Sequence, residues 1–139
     1  MMVDLGDLRE GIWPDRLIES LRAIINLPAL EVIGLGTNLA CYGGVIPDTQ
    51  KMQQLIDLRD EAERILGNKL PILCGGNSAN LPLLLAGGVP SQINLLRIGE
   101  TILLGRNVLD RSAFPGTRQD TFRLMAEIIE LERKPSIPI

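Results

Sequence analysis

Short apolar runs of strand length recur along this chain, and polar or glycine-rich turns follow them. The runs lie at residues 2–6, 31–36, 70–74 and 93–98, and they predict four buried strands. Segments of helical periodicity separate them. A chain whose strands alternate with helices forms a parallel sheet with right-handed crossovers. The pattern therefore predicts an α/β fold with four parallel strands and intervening helices.

Three segments between the strands predict helices. The first begins at Pro14, because proline suits the first turn of a helix. The second is capped by Asp48 or Thr49 and ends at Gly67, since glycine favours the left-handed conformation found at helix ends. A shorter helix is predicted over residues 79–86. This order places the turns after the strands at one edge of the sheet, where α/β proteins bind their ligands.

Composition narrows the classes of function. The chain has 139 residues, 45% of them hydrophobic, which is enough for one domain with a core. A net charge of −3 without a basic block argues against a nucleic-acid partner. The absence of histidine removes histidine bases and most zinc sites, and no metal site is predicted. Two isolated cysteines, no signal peptide and no membrane-spanning apolar run predict a cytoplasmic protein.

Two of the turns favour a phosphate group. The third predicted strand is followed by Gly75, Gly76, Asn77 and Ser78, and the fourth by Gly99 and Glu100. Glycine lets a ligand approach the backbone, and N–H groups with a serine hydroxyl hold an anion. Taken alone, the turn from Gly75 to Ser78 is better explained as an ordinary strand-to-helix turn with a capping residue. Because consecutive strands are usually neighbours, the two turns together favour a phosphate site. Arg97 lies within the fourth strand, where a charged side chain is costly unless it has a polar or charged partner.

Two further turns carry polar residues. After the first strand come Asp4, Asp7, Arg9 and Glu10, which are expected to form a solvated loop with local ion pairs, with Arg9 as a ligand contact in the alternative interpretation. In the loop after the second strand, Asn38 is a candidate hydrogen-bonding residue. Cys41 is expected to be a small buried residue rather than a nucleophile, since no histidine is present to activate it.

Four motifs together resemble a known family. They are VDLGDLREG, GLGTNLACYGG, GGNSANLPLLLAGG and LLRIGETILLG. In order and spacing they resemble the pyridoxal-phosphate-binding (β/α)8 barrel of the alanine racemase superfamily, and they are most similar to its ornithine racemase branch. The resemblance implies a partial TIM-type barrel in which residues 1–117 match strands five to eight. It also implies that residues 118–139 begin a truncated β-rich C-terminal domain, although helix propensity alone favours a helix over residues 121–133.

The resemblance assigns a role to each candidate residue. Arg97 matches the arginine that faces the pyridine nitrogen of the cofactor, and Arg9 matches one near its phenolic oxygen or the substrate carboxylate. The phosphate would be held by Ser78, with Asn77 beside it, and by Gly99 and Glu100. Asn38 occupies a position where relatives often carry histidine. The implied cofactor-binding residues are therefore Arg97, Ser78, Asn77, Gly99, Glu100, Arg9 and Asn38, with pyridoxal 5'-phosphate as the cofactor and an amino acid as the substrate.

One departure from the family limits this interpretation. The family binds its cofactor through an aldimine lysine on the first barrel strand, and no lysine here matches it. Lys51 is expected to be solvated at the start of the second helix, Lys69 precedes the third strand, and Lys134 lies in the tail. No catalytic residue is therefore identifiable, and the chain is predicted to be a fragment that is not a competent racemase alone, since racemisation needs an acid and a base on opposite faces of the α-carbon.

Several alternatives remain open from the sequence. The chain is either part of a racemase, a non-catalytic pyridoxal-phosphate homeostasis protein, another phosphate-binding barrel enzyme, or an orphan fragment without a function of its own. The tail argues against the second, because such proteins end at the barrel. Half of a barrel leaves open edges at its first and fourth strands, and open edges pair readily. A homo-oligomer formed through these edges is therefore predicted.

Overall fold

Three parallel strands form the centre of the fold. The structure is a computed structural model that describes residues 1–137. The strands stand in the sheet in chain order, as β1 (Gly34–Gly36), β2 (Ile72–Asn77) and β3 (Leu95–Arg97). Gly34 pairs with Ile72, and a Cβ atom at position 34 would lie only 2.2 Å from the Ile72 carbonyl oxygen. The prediction of an α/β fold with a parallel sheet is confirmed, and this sheet is consistent with part of a TIM-type barrel.

The first predicted strand is present only as a bridged segment. Met2 forms a parallel bridge to Gly36, and the Val3 N–H donates to the Gly36 carbonyl at 2.7 Å. On its other side the segment is paired with Ile12, whose N–H donates to Met2 O at 2.9 Å and whose carbonyl accepts from Asp4 N at 3.0 Å. Residues 1–137 thus contain three regular strands instead of the predicted four. It also corrects the expected open edge beside the first strand, which Ile12 occupies.

In the described part of the chain, four α-helices connect and follow these strands. They are α1 (Leu17–Ile24), α2 (Thr49–Leu66), α3 (Leu81–Leu85) and α4 (Glu100–Leu104), with 3-10 turns at Pro14–Arg16 and Ser78–Asn80. Asp48 caps α2 by accepting from Lys51 N at 2.7 Å, and Gly67 ends it with a φ of 74°, both as predicted. The sequence did not predict α4. Within residues 1–137, no helix has the length and hydrophobicity needed to cross a membrane.

The hydrophobic core lies between the helices and one face of the sheet. Its largest fully buried side chains are Leu17, Leu21, Leu35, Leu39, Met52, Leu55 and Leu73. Side chains alternate along a strand, so Leu35 and Leu73 face the helices while Ile72 and Cys74 belong to the opposite face. No described element covers that opposite face beside β3, where Leu95 pairs with Cys74 and remains 43% exposed.

The C-terminal tail forms neither of the structures considered for it. In the described part of the tail, residues 118–137, no helix or strand is present, and Leu124 is 95% exposed. A strand needs a partner strand, and an isolated helix of this length is marginal without packing. The described tail has neither a partner strand nor a packing surface. It therefore forms neither the helix that propensity favours nor the strand expected from the family. The boundary of a second domain at residue 118 stays a prediction.

Packing of α1 against α2 predicts a stability difference between two neighbouring residues. Leu21 is fully buried in the core, whereas Ile25, one turn later, is largely exposed. Leu21→Ala should lower the free energy of unfolding by about 2–5 kcal/mol through lost burial and cavity formation. Ile25→Ala, the matched control, should change it by about 0.5 kcal/mol or less. Chemical denaturation monitored by circular dichroism measures both, and equal effects would contradict this packing.

Candidate functional site

A cavity of about 370 Å³ lies where the ends of the strands and the loops after them meet. Its lining includes all seven residues that the sequence singled out for a cofactor, namely Arg9, Asn38, Asn77, Ser78, Arg97, Gly99 and Glu100. Ala40, Cys41 and Val108 also line it. The structure therefore brings together residues from four separate turns. This convergence follows from the parallel sheet, whose strands all end at the same edge.

The turns after β2 and β3 meet at Ser78. The buried Ser78 hydroxyl oxygen accepts hydrogen bonds from the backbone N–H groups of Gly99, at 3.3 Å, and Thr101, at 3.4 Å. Its own proton is then free to be donated. A Cβ atom at position 99 would have no neighbour within 4 Å, so the backbone there borders open space. A hydroxyl donor and accessible backbone thus stand side by side in the cavity.

Arg97 brings a fixed positive charge to the cavity. Its Nη2 donates to Thr37 O at 3.3 Å and to Asn38 Oδ1 at 3.4 Å. Both acceptors follow β1, so the guanidinium reaches from the end of β3 across β2 to the loop after β1. The side chain is about half exposed and keeps further N–H groups for other partners. The positive charge of Arg97 is therefore partnered by the oxygens of Thr37 and Asn38, as expected for a charged residue within a strand.

Asn77 and Asn38 form the polar connection between β1 and β2. Asn77 Nδ2 donates to Asn38 Oδ1 at 2.9 Å and to Leu39 O at 2.8 Å, while Asn77 Oδ1 accepts from Ala79 N at 2.7 Å. Asn38 Oδ1 thus accepts from both Asn77 and Arg97. Sequence analysis proposed Asn38 as a ligand contact, and the structure shows that its oxygen is already engaged. The two amides orient Arg97 and the loop after β1.

Glu10 stands between the two arginines of the cavity, a relationship that sequence analysis missed. Glu10 Oε1 lies 3.6 Å from Arg9 Nη1 and 3.6 Å from Arg97 Nη2. All three side chains are partly exposed, so the attraction is moderated by water. The carboxylate nevertheless offsets part of the positive charge. The sequence signals only the cluster of charges after the first strand. It does not show that Glu10 pairs with Arg97, which lies 87 residues later.

Asp4 and Asp7 are structural residues and not part of a solvated loop, which corrects the expectation for this cluster. Asp4 is buried and accepts from the backbone N–H groups of Gly6, Leu8 and Arg9. Asp7 is only 1% exposed and accepts from Tyr42 N at 2.8 Å. It also accepts from the N–H groups of Cys41 and Val45. Asp7 thereby fixes the loop that contributes Ala40 and Cys41 to the cavity.

These hydrogen bonds govern the protonation of Asp7. Burial by itself would raise the pKa of this carboxyl group. The backbone N–H groups of Tyr42, Val45, Cys41 and Gly43 outweigh burial, and the pKa lies below its ordinary value of 3.8. Asp7 is therefore ionised at neutral pH. Its charge is stabilised by dipoles of the loop that it holds.

Cys41 and the lysines differ from what the sequence suggested. Cys41 is exposed and lines the cavity, whereas it was expected to be buried; Cys74 is the buried cysteine. Lys51 is half-buried rather than solvated, and its Nζ donates to Leu5 O at 3.0 Å. Lys69 and Lys134 form ion pairs with neighbouring glutamates. No lysine of the described residues lines the cavity.

Comparison with known proteins assigns the family. The family model of the alanine racemase N-terminal domain matches residues 1–107, so the chain belongs to this family. It is 41% identical over 138 residues to the lysine racemase of Thermotoga maritima and 44% identical over 140 residues to the ornithine racemase of Acetoanaerobium sticklandii. These alignments cover 99% and 100% of this chain but only 38% and 40% of the two racemases. No solved structure gives a significant match.

The buried carboxylate of Asp7 predicts a pH-dependent contribution to stability. Because its folded pKa lies below the unfolded value, the stabilisation is present above about pH 4 and is lost as the pH falls through the folded pKa. Asp7→Asn should reduce stability at pH 7 by roughly 1–3 kcal/mol, since an amide replaces a charged acceptor of several N–H groups.

The measurement is the melting temperature between pH 2 and pH 7 for the wild type and the variant. The difference between them should be largest at neutral pH and should shrink below about pH 4. Asp15→Asn, at an exposed position in the first 3-10 turn, is the matched control and should shift the melting temperature little. A constant difference across this range would contradict the assigned role of Asp7.

Proposed function

We propose that the cavity binds pyridoxal 5'-phosphate and that this chain supplies the phosphate and ring-nitrogen side of an amino-acid racemase. The observation that carries the proposal is the meeting of Ser78, Gly99, Arg97 and Arg9 in one cavity, in a chain of the alanine racemase N-terminal domain family. A basic amino acid is the proposed substrate, since the two relatives are a lysine racemase and an ornithine racemase. The chain spans about two fifths of the length of these two racemases, so racemase activity is itself part of this proposal.

The residues present fit the cofactor. The cavity volume of about 370 Å³ falls within the range of small-molecule sites, roughly 300–1,000 Å³. The Ser78 hydroxyl and the backbone N–H of Glu100 would hold the phosphate beside open space, and the Gly99 N–H would join them by exchanging its hydrogen bond to Ser78 Oγ for one to the phosphate. Arg9, on the loop after the first bridged segment, would meet a second anionic group such as a phenolic oxygen or a carboxylate.

Arg97 would set the electronic character of the site. When bound, pyridoxal phosphate supplies an electron sink for the α-carbon of an amino acid. A guanidinium retains its proton at all physiological pH values, so Arg97 would donate a hydrogen bond to the ring nitrogen and leave that nitrogen unprotonated. Its fixation by Thr37, Asn38 and Glu10 would keep the guanidinium in place.

Proton transfer is not provided by the residues around the cavity. Racemisation removes a proton from one face of the α-carbon and returns one to the other. The ionisable groups in the lining are Arg9, Arg97, Cys41 and Glu100, and Glu100 is paired with Arg111. Arginine does not act as a base at neutral pH, the chain has no histidine to activate Cys41, and no lysine lines the cavity in the described residues. We therefore infer that this chain binds and orients the ligand and depends on other polypeptide for proton transfer.

Cofactor binding can be tested without activity, because Cys41 lies in the cavity and Cys74 is buried. Pyridoxal phosphate should slow alkylation of Cys41, measured by peptide mass spectrometry, while Cys74 stays unlabelled in the folded protein. Ser78→Ala and Arg97→Ala should each weaken the protection by about tenfold, corresponding to one lost charge-assisted hydrogen bond. Ser91→Ala, an exposed position outside the cavity, is the control. Unprotected Cys41 at saturating cofactor would refute the proposed site.

Racemase activity should be absent from this chain alone. With pyridoxal phosphate added, L-lysine, L-ornithine and L-alanine should retain their optical rotation, because no described residue in the cavity serves as a base. The Thermotoga maritima lysine racemase, assayed under the same conditions with L-lysine, is the positive control. Sustained turnover that is abolished by Arg97→Ala would overturn the inference that proton transfer depends on other polypeptide.

A further inference from the structure

Cys41 is a residue of the cavity to which the proposed function gives no role. It is exposed and lines the cavity of about 370 Å³, whereas Cys74 is buried and lies outside the lining. The residue before it, Ala40, has a φ of 54°, a left-handed conformation that residues with a side chain rarely adopt. Asp7 Oδ2 holds this turn by accepting from Cys41 N at 3.2 Å and from Tyr42 N at 2.8 Å. Cys41 is thus kept at the cavity wall by a defined loop.

Two buried side chains in the same lining hold donors that point to a ligand with acceptor atoms. Ser78 is 4% exposed and Asn38 is 6% exposed. Ser78 Oγ accepts from two backbone N–H groups, so its own proton is left for the cavity. Asn38 Nδ2 has no acceptor within residues 1–137, and it is not one of the enclosed atoms without a partner, which are Thr37 Oγ1 and Asn80 Oδ1. It therefore opens onto the cavity that Asn38 lines.

The charges around the cavity favour an anion. Arg9 and Arg97 both line it, and Glu10 Oε1, 3.6 Å from each of them, offsets one of the two positive charges. Glu100 is already paired with Arg111. A sphere of the cavity's volume is about 9 Å across, close to the Debye length of about 8 Å at physiological ionic strength. The remaining positive charge therefore acts across the whole cavity and concentrates negatively charged reagents beside the thiol.

We propose that Cys41 is a site of reversible thiolation and that its reagent is a disulfide carrying carboxylate groups, of which oxidised glutathione is an example. Cys41 Sγ attacks one sulfur of the reagent as a thiolate, after its proton has passed to solvent. The new S–S bond forms as the bond in the reagent breaks, and the other half leaves as a thiolate. Cys41 is oxidised and the reagent is reduced. Since the chain has no histidine to activate the thiol, the selectivity arises from attraction of the reagent.

Thiolation of Cys41 changes what the cavity can bind. The attached half of the reagent occupies part of the cavity, and its carboxylates neutralise the positive charge of Arg9 and Arg97. Cys74 is buried outside the lining, so an external thiol, and not Cys74, releases the attached group. Anion binding in the cavity therefore depends on redox conditions. This inference goes beyond the proposed function, because it does not require that the cavity bind pyridoxal phosphate.

The experiment measures thiolation of the whole chain, without pyridoxal phosphate, by disulfides of different charge. The reagents are anionic dithiobis(nitrobenzoate), neutral dithiodipyridine and cationic cystamine, and each rate is divided by the rate with N-acetylcysteinamide, a neutral free thiol. The relative rate should be highest for the anionic and lowest for the cationic reagent, and the difference should shrink as salt is added. With oxidised glutathione, peptide mass spectrometry should find one adduct, on Cys41, that dithiothreitol removes.

Two variants should move this selectivity in opposite directions. Arg97→Ala should lower the ratio of the anionic to the cationic relative rate by about tenfold, and Glu10→Gln should raise it by a similar factor, because each changes one charge within about a Debye length of the thiol. Unfolding would instead speed all three reagents and expose Cys74. Arg22→Ala, an exposed position in the last turn of α1 and outside the cavity, is the matched control and should leave the ratio unchanged.

Three results would overturn the proposal. One is an equal relative rate for the three reagents at low salt. Another is a change of the ratio in the same direction in Arg97→Ala and Glu10→Gln. The third is modification of Cys74 as fast as that of Cys41, which would show that thiolation follows unfolding. Protection of Cys41 by pyridoxal phosphate is a separate measurement, so its failure would leave the charge selectivity of thiolation unchanged.

Discussion

The common direction of the strands is the constraint on which the site depends. In a parallel sheet every strand delivers its following turn to the same edge, so residues from distant segments meet without any long loop. Ser78 after β2 and Gly99 after β3 come within hydrogen-bonding distance for this reason. Arg97 reaches the loop after β1 by the same geometry. If one strand were reversed, its turn would lie at the far end of the sheet and the cavity would lose a wall.

Buried polar groups convert this meeting of turns into a defined arrangement. Asp7 holds the loop around Tyr42 through backbone N–H groups, and Asn77 holds Asn38. A buried acceptor is costly when unpaired, so the loops are restrained to the positions that satisfy these groups. The cavity is thus shaped by residues that mostly do not offer free groups to a ligand. Arg97, Arg9 and the Ser78 hydroxyl are the groups that retain this capacity.

Local signals explain how much of the fold was predictable. The second helix was predicted with both ends, because Asp48 and Gly67 act within one turn of the chain. Seven residues of the cavity lining were singled out in the sequence, because strand ends carry recognisable polar and glycine residues and their motifs resemble those of a known family. The Glu10–Arg97 pair, the burial of Asp7 and the exposure of Cys41 were not, since each depends on contacts between distant segments. Within the described residues the tail forms neither a helix nor a strand, because either would need packing partners that those residues do not provide.

Arg97 links the chemistry of the cavity to the exposure of the sheet. It lies at the end of β3, bordering the cavity on one side and the sheet face opposite the helices on the other. A guanidinium there can bind an anion or a ring nitrogen, yet it cannot exchange protons at neutral pH. A site bounded by arginine and open on its remaining side can therefore bind before it can catalyse.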